Sequence, residues 1–366
     1  MSTNTAPATT PSVPNVEIVQ ILKRLVNHPD TFEPEHLRRC LHLFFQGEGS
    51  SAQIAALLVA LRLTKVDQRP DMIAAAAETL LSYAVRLNIK PEHTWTRGVV
   101  DIVGTGGDGH NTFNVSTSSA IVAAGAGCKV AKHGNRSSTS NSGSADLLES
   151  LGCNLSGFPP ESIIDFLKTG EFCFLYAPRF HPLMGRVAQV RKEIGAPSIF
   201  NIIGPLINPV VPTNIIVGVH SAYLGPIIAE ALRLSGTSRG MVVCGVEGLD
   251  EISPQGDTLV WHIRDNQVEP GRIHPTTDFG LSCHSLETVK GHSGEANARY
   301  LDRILDGEIT DSPILDFILL NTSALLVVSG VAETYVEGVQ KARESIASKR
   351  AKRALAQFAE FTQAKH

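Results

Sequence analysis

Beyond Pro91, short apolar runs of strand type alternate with amphipathic helical patterns, and this alternation restricts the fold more than any other feature of the chain. The strand-like runs are Val99 to Val103, Lys129 to Ala131, Phe172 to Tyr176, Asn214 to Val219 and Met241 to Cys244. Helical patterns such as Ser116 to Ala126, Ser144 to Leu151 and Tyr223 to Leu234 separate them. Such alternation requires crossover connections, and hence a largely parallel sheet. The preceding region, Val16 to about Ile89, is helical throughout. There Ile54, Leu57, Leu58 and Leu61 follow the i, i+3, i+4, i+7 rule behind Ser50 and Ser51 as plausible N-caps. Ala52, Ala55, Ala56 and Ala60 fill much of the other side, so that helix is open to cover on a second face. Periodicity alone reads as an all-helical core, without separating it from a dimer interface. The segment from about His262 to Gly294 predicts a hairpin and loop, and Ser312 to about Phe361 two helices, the first strongly apolar.

At 366 residues the chain has room for one large domain and a smaller one. A net charge of -4 supplies no general attraction for nucleic acid or anionic membrane, so anion binding has to come from a local site. Cys40, Cys128, Cys153, Cys173, Cys244 and Cys283 show no metal-ligand spacing and read as reduced thiols of a cytoplasmic protein. Met1 to Pro14 carries no basic residue and no apolar run, and reads as a short disordered tail rather than a targeting signal. No uninterrupted apolar stretch is long enough to span a membrane.

Gly, Ser, Thr and Asn crowd the segments that follow the predicted strands, where an open parallel sheet binds its ligands. After the first strand come Gly104, Thr105, Gly106, Gly107, Asp108 and Gly109, then Thr112, Asn114, Val115, Ser116 and Thr117. Glycines let bare N–H groups approach a ligand, and a helix opening at Ser116 and Thr117 adds unpaired donors and partial positive charge, which suits a phosphate. Gly104, Gly106 and Gly109 also match G-x-G-x-x-G, so a dinucleotide site is the competing reading. Its expected acid about 20 residues on is missing, since no Asp or Glu occurs between Gly109 and Ala145. A Walker loop is excluded, because no Gly-Lys-Ser/Thr follows.

The second loop, Lys132, His133, Gly134, Asn135, Arg136, Ser137, Ser138, Thr139, Ser140, Asn141, Ser142, Gly143 and Ser144, combines two cations with a run of hydroxyls and contains no acid. Hydroxyls and amides can wrap phosphate oxygens while Lys132 and Arg136 offset charge. A third loop brings Asp250 and Glu251 after a strand. An adjacent carboxylate pair is a weak signal alone, but beside two phosphate-type loops it points to Mg2+, which takes oxygen ligands and phosphate partners. A fourth region, with Pro178, Arg179, His181, Arg191 and Lys192, supplies basic residues for a carboxylate; Arg is the better match for a planar two-oxygen group.

Taken in order, GTGGD, NVST, KHGNR, SGSADLLESLG, VRKEIG with FNIIGPLINP, and GLDEIS resemble the anthranilate phosphoribosyltransferases from about Val16 to the C-terminus. The resemblance implies an α/β protein: a small all-helical domain beside a larger α/β domain with a mostly parallel central sheet, the active site lying between them. Its boundaries would be a tail over residues 1–15, a helical domain over 16–92 with a returning segment at about 185–212, and a catalytic domain over 93–366. It implies a homodimer through the helical domain, Mg2+ as cofactor, and PRPP (5-phosphoribosyl diphosphate) and anthranilate as substrates, with no nucleic-acid or membrane partner. By position, PRPP would be bound by Gly104, Gly107, Asp108, Thr112, Asn114, Val115, Ser116, Thr117, Lys132, His133, Gly134, Asn135, Arg136, Ser137, Ser138, Thr139, Ser140 and Ser144. Metal would be held by Ser116, Asp250 and Glu251, and anthranilate by Gly104, His133, Asn135, Pro178, His181 and Arg191.

Two departures stand out. Similar members often read Gly-x-Arg-Thr where this chain has Gly195, Ala196, Pro197 and Ser198, and a basic residue common late in the lysine loop is Asn141 here. The implied reaction has no covalent nucleophile, with Lys132, Asp250 and Glu251 supporting the transition state. The rival readings are a pyrimidine nucleoside phosphorylase, which is similar in fold, and a non-catalytic relative that binds nucleic acid; the latter would show a basic surface and eroded loops.

Overall fold

The computed structural model describes residues 14–85, 87, 98–137 and 142–364. Most of the expected tail, the expected boundary at 92/93, and the site candidates Ser138, Thr139 and Ser140 lie outside these residues.

Four helices open the chain: α1 (Val16–Asn27), α2 (Pro34–Gln46), α3 (Ser51–Leu63) and α4 (Pro70–Ser82). Helix α3 begins where its capping signal places it. Ser50 Oγ accepts from the Gln53 N–H at 3.2 Å, and the Gln53 side chain accepts the Ser50 N–H at 3.1 Å. Ile54, Leu57, Leu58 and Leu61 are buried, whereas Ala52, Ala56, Val59 and Leu63 line an exposed face on which Leu63 is 78% accessible.

The rest of the chain builds one seven-stranded sheet. In order come β1 (Val99–Gly104), α5 (Val115–Gly125), β2 (Lys129–Gly134), α6 (Ser144–Ser150), α7 (Ile163–Phe166), β3 (Phe172–Tyr176), α8 (Ala177–Phe180), α9 (Gly185–Ile194), β4 (Asn214–Gly218), α10 (Leu224–Leu234) and β5 (Arg239–Gly245). These are followed by β6 (Thr258–Arg264), β7 (Gln267–Ile273), α11 (Pro275–Phe279), α12 (Gly294–Leu305), α13 (Pro313–Val328), α14 (Tyr335–Ala347) and α15 (Arg350–Gln363). Strand order is β3-β2-β1-β4-β5-β6-β7; the first five run parallel, and β6 and β7 are antiparallel. The sequence turns outward in opposite directions from β1 and β4, so the crevice at their carboxyl ends is the switch point of the sheet.

Two apolar clusters hold the molecule together. One packs α5, α12, α13, α14 and α15 against one side of the sheet. The other joins α1 to α4, α9 and residues 199–207 to β4, β5 and α10. The chain after α9 therefore returns to the N-terminal helices before entering β4.

Two details differ from the sequence reading. The hairpin begins at Thr258, earlier than expected, and β6 extends the sheet by pairing with β5. The tail holds three helices, because Lys349 adopts φ +62° and breaks what the periodicity runs together.

Candidate active site

Three loops meet at the switch point. After β1 the backbone turns through Gly106, Gly107 and Gly109 at φ +73°, +87° and +74°, values that side chains rarely tolerate. The Gly106 N–H donates to Asp250 Oδ2 at 2.6 Å, and the Thr105 N–H donates to the Gly218 carbonyl at 2.9 Å. A Cβ at Gly104 would strike the Asp250 carboxylate, and one at Gly218 would strike the Asp250 backbone. Both strands thus end in glycine so that the loop after β5 can cross them closely. Two histidines that the sequence reading passed over tie the loops laterally. His110 Nε2 donates to the Glu247 carbonyl at 3.2 Å, and His220 Nδ1 lies 3.4 Å from Thr105 Oγ1.

The crossing concentrates negative charge. Burial and then the Asp108 carboxylate push Asp250 up to about 7, against the donor from Gly106. Burial and Asp250 raise Glu251 well above the usual carboxylate range, opposed by Lys132. Crowded, dehydrated carboxylates of this kind are relieved by a divalent cation, and oxygen donors of this type suit Mg2+. Among the described residues no three His, Cys, Asp or Glu groups form a ready-made metal cage. As oxygen donors Asp250 and Glu251 fit Mg2+, and Ser116 lies in the first turn of α5.

Lys132 is fully buried, so it works from beneath the cleft instead of presenting its charge at the surface. Its Nζ donates to the Ile102 carbonyl at 2.6 Å, and its ammonium is attracted by both Asp101 and Glu251. Arg136 is also engaged: it reaches Asp146 Oδ1 at 3.0 Å and Glu149 Oε1 at 2.6 Å. The loop itself is acid-free, but the helix it leads into supplies the acids.

The phosphate-type groups gather where α5 and α6 begin. Thr117 Oγ1 donates to Ser144 Oγ at 2.9 Å, and Asn114 Nδ2 donates to the Ser142 carbonyl at 2.9 Å. The second donation tethers the lysine loop to the head of α5. Asn297 on α12 holds Asn114 Oδ1 at 2.8 Å, and Thr112 pairs with Lys290 in an isolated bridge. Val115 is buried, while Ser116 sits half-exposed where first-turn N–H groups lack helical acceptors. Gly134 lies against Ser144, and the Ser137 N–H donates to Asp146 Oδ2 at 3.3 Å. The Asn135 carbonyl accepts from the Ala145 N–H at 3.3 Å, closing the loop onto α6.

On the far side, burial lowers His133 to about 3, helped by neighbouring His181, and burial also lowers His181. Their rings meet edge to face at 5.3 Å, and His181 Nε2 donates to the Ile207 carbonyl at 2.8 Å. Pro178 lies in α8, directly ahead of His181. Arg191, on α9, stacks its guanidinium 5.5 Å from the Phe200 ring centre and has no ion-pair partner among the described residues.

The reading of the sequence also missed Asp101 and Asn208. Asp101 Oδ2 accepts from Asn208 Nδ2 at 2.9 Å and from the His133 N–H at 3.3 Å, entirely out of water. An acid three residues before the glycine loop was the available signal.

Comparison with known proteins gives a consistent answer along the chain. Residues 96–352 match the family model "Glycosyl transferase family, a/b domain", and residues 19–84 match the helical bundle domain of the same family. The anthranilate phosphoribosyltransferase of Schizosaccharomyces pombe is 45% identical over 331 residues, covering 90% of this chain and 92% of that protein. That of Xanthomonas campestris is 40% identical over 344 residues, 94% of this chain and 96% of the other. Among solved structures, the Saccharomyces cerevisiae enzyme in complex with PRPP and Mg superposes with a TM-score of 0.87 at 36% identity, covering 95% of this chain and 98% of that one. The Thermus thermophilus enzyme gives 0.83 at 37% identity, covering 94% and 99%.

Proposed function

This chain belongs to the anthranilate phosphoribosyltransferases of the glycosyl transferase family, and we propose that its switch-point cleft transfers the 5-phosphoribosyl group of PRPP to the amine of anthranilate, releasing pyrophosphate. The observation that carries this reading is the bond from the Gly106 N–H to Asp250 Oδ2, which joins the glycine loop after β1 to the Asp250–Glu251 pair after β5. An amide-rich loop and a carboxylate cluster together suit a diphosphate and its metal.

In this proposal the N–H groups of the glycine loop and the first turn of α5 hold the diphosphate, with Asn114, Ser116, Thr117, Asn135, Arg136, Ser137 and Ser144 at its rim. Asp250, Glu251 and Ser116 hold Mg2+. A bound Mg2+ supplies charge neutralisation for the departing pyrophosphate. The aromatic amine is neutral near pH 7, so it needs no base before attacking C1 of the ribose. The chain's task is to fix donor and acceptor at attack distance and to face the growing charge with preorganised donors. Arg191 receives the anthranilate carboxylate, and Gly104, His133, Asn135, Pro178 and His181 shape the pocket for its ring. Neutral imidazoles suit that role, since they pack beside a ring without the cost of a buried charge.

Assembly as a homodimer through the helical domain belongs to the same proposal. Its support is the exposed Ala52, Ala56, Val59 and Leu63 face of α3. A cytoplasmic setting is supported by six cysteines without a disulfide. No helix among the described residues is long and apolar enough to cross a membrane.

The test follows anthranilate fluorescence. The expected signal decays only when PRPP and Mg2+ are both present and stops on adding chelator. Unchanged fluorescence under those conditions, with thymidine or uridine phosphorolysis instead, would assign the cleft to a nucleoside phosphorylase.

A further inference from the structure

Beneath the cleft lies a buried acid that the proposed chemistry does not use. Asp101, on β1, is fully buried, and its two oxygens have different surroundings. Oδ2 accepts from Asn208 Nδ2 and the His133 N–H at 2.9 and 3.3 Å. Oδ1 has no hydrogen-bond partner among the described residues. What answers its charge is the ammonium of Lys132, which is also drawn towards Glu251. A buried carboxylate is costly unless paired, so its retention inside β1 calls for a reason.

Both of its connections end in the site. Asn208 also donates to the Ala131 carbonyl at 2.8 Å, and its Oδ1 accepts the Val210 N–H at 3.0 Å. It thereby pins the returning segment to β1 and β2. The residue before it, Ile207, provides the carbonyl that fixes His181, whose ring packs on His133. In the other direction the line runs from Asp101 through Lys132 to Glu251. Lys132 is itself anchored on the Ile102 carbonyl, one residue along β1 from Asp101.

We infer that Asp101 is a positioning residue that serves both halves of the cleft: one oxygen fixes the loop and the histidine on the acceptor side, and its charge balances Lys132 behind the carboxylates on the metal side. The inference rests on the functional reading given above and adds to it a residue outside the direct contacts.

The two arms are separable by substitution. Asp101→Asn keeps an oxygen for Asn208 and His133 but removes the charge. Lys132 then bears on Glu251 uncompensated, and the site becomes one charge more positive. Mn2+ binding to the substrate-free protein, followed by the free-ion signal in electron paramagnetic resonance, should weaken about tenfold, the scale of one partly screened charge nearby. The Km for anthranilate should stay within about twofold, because the hydrogen bonds to charged and neutral oxygens keep the same geometry. Asn208→Ala should do the reverse: Mn2+ affinity within about twofold of wild type, and a Km for anthranilate raised about tenfold by the loosened loop. Asp101→Ala should show both changes; if it does not fold, the other two variants carry the test alone. Wild-type Mn2+ affinity in folded Asp101→Asn overturns the charge arm, and an unmoved anthranilate Km in folded Asn208→Ala overturns the acceptor arm. Wild-type protein that binds Mn2+ but forms no product from PRPP and anthranilate breaks the functional reading instead.

Discussion

Where β5 ends, Asp108, Asp250 and Glu251 crowd together above one lysine; where β2 and α8 meet, two neutral imidazoles pack edge to face, and α9 contributes Arg191. Burial acts on both regions with opposite results. It raises Asp250 and Glu251 of the first and lowers both histidines of the second. In the proposed reading the first region takes a cation and the phosphates it brings, and the second a flat, uncharged ring whose single carboxylate would go to arginine. On that reading, one dehydrated crevice would serve two unlike substrates by sorting its charged groups by side.

The sharpest way to break this division is to neutralise the first region. Asp250→Asn with Glu251→Gln should lower turnover by about a thousandfold, the scale of losing principal transition-state electrostatics. Circular dichroism and the metal-free melting temperature should show no loss of fold, since the substitutions remove repulsion. Activity near wild type would show that the carboxylates are not the metal site. In the second region, Arg191→Ala should raise the Km for anthranilate about 10- to 100-fold, as expected for losing hydrogen bonds to a charged group of ~1.5–3 kcal/mol. The Km for PRPP should hold steady. Equal rises in both would dissolve the distinction between the halves.

The smallest effect, a few degrees, concerns stability of the metal-free protein against pH. Asp250 sits at about 7 in the folded chain against an ordinary 3.8, so its contribution is complete below about pH 4 and is lost as pH rises through 7. Glu251 acts in the same direction. His133, at about 3 against 6.5, contributes fully above pH 6.5 and loses that contribution as pH falls towards 3. Melting temperature should therefore decline from pH 5 to 8 less steeply in Asp250→Asn, and from pH 6.5 to 4 less steeply in His133→Gln. Parallel slopes in all three proteins would refute the opposed titration.

Much of this arrangement was legible in the residues alone. The five parallel strands announced themselves as apolar runs, and the glycine and hydroxyl clusters after them located the loops at the switch point. The antiparallel hairpin was expected from about His262, but its start at Thr258 and its pairing with β5 were not; β7 is largely exposed and carries Pro270 and Gly271, leaving little apolar pattern to detect. The split between α14 and α15 was hidden because it turns on a left-handed lysine instead of glycine or proline. In the site, the acid-free loop suggested a free Arg136, yet Asp146 and Glu149 come from the next helix and occupy it. Local composition cannot show which neighbour folds back. Asp101 was harder still: its meaning lies in partners 31 and 107 positions away, Lys132 and Asn208.

Gly218 touches no proposed ligand, yet a methyl group there would collide with the main chain of Asp250. A saturation scan scored by growth or turnover would consequently flag this position as intolerant as the metal-binding acids themselves. Anyone ranking residues by functional sensitivity would then credit chemistry to a site whose only duty is to stay out of the way.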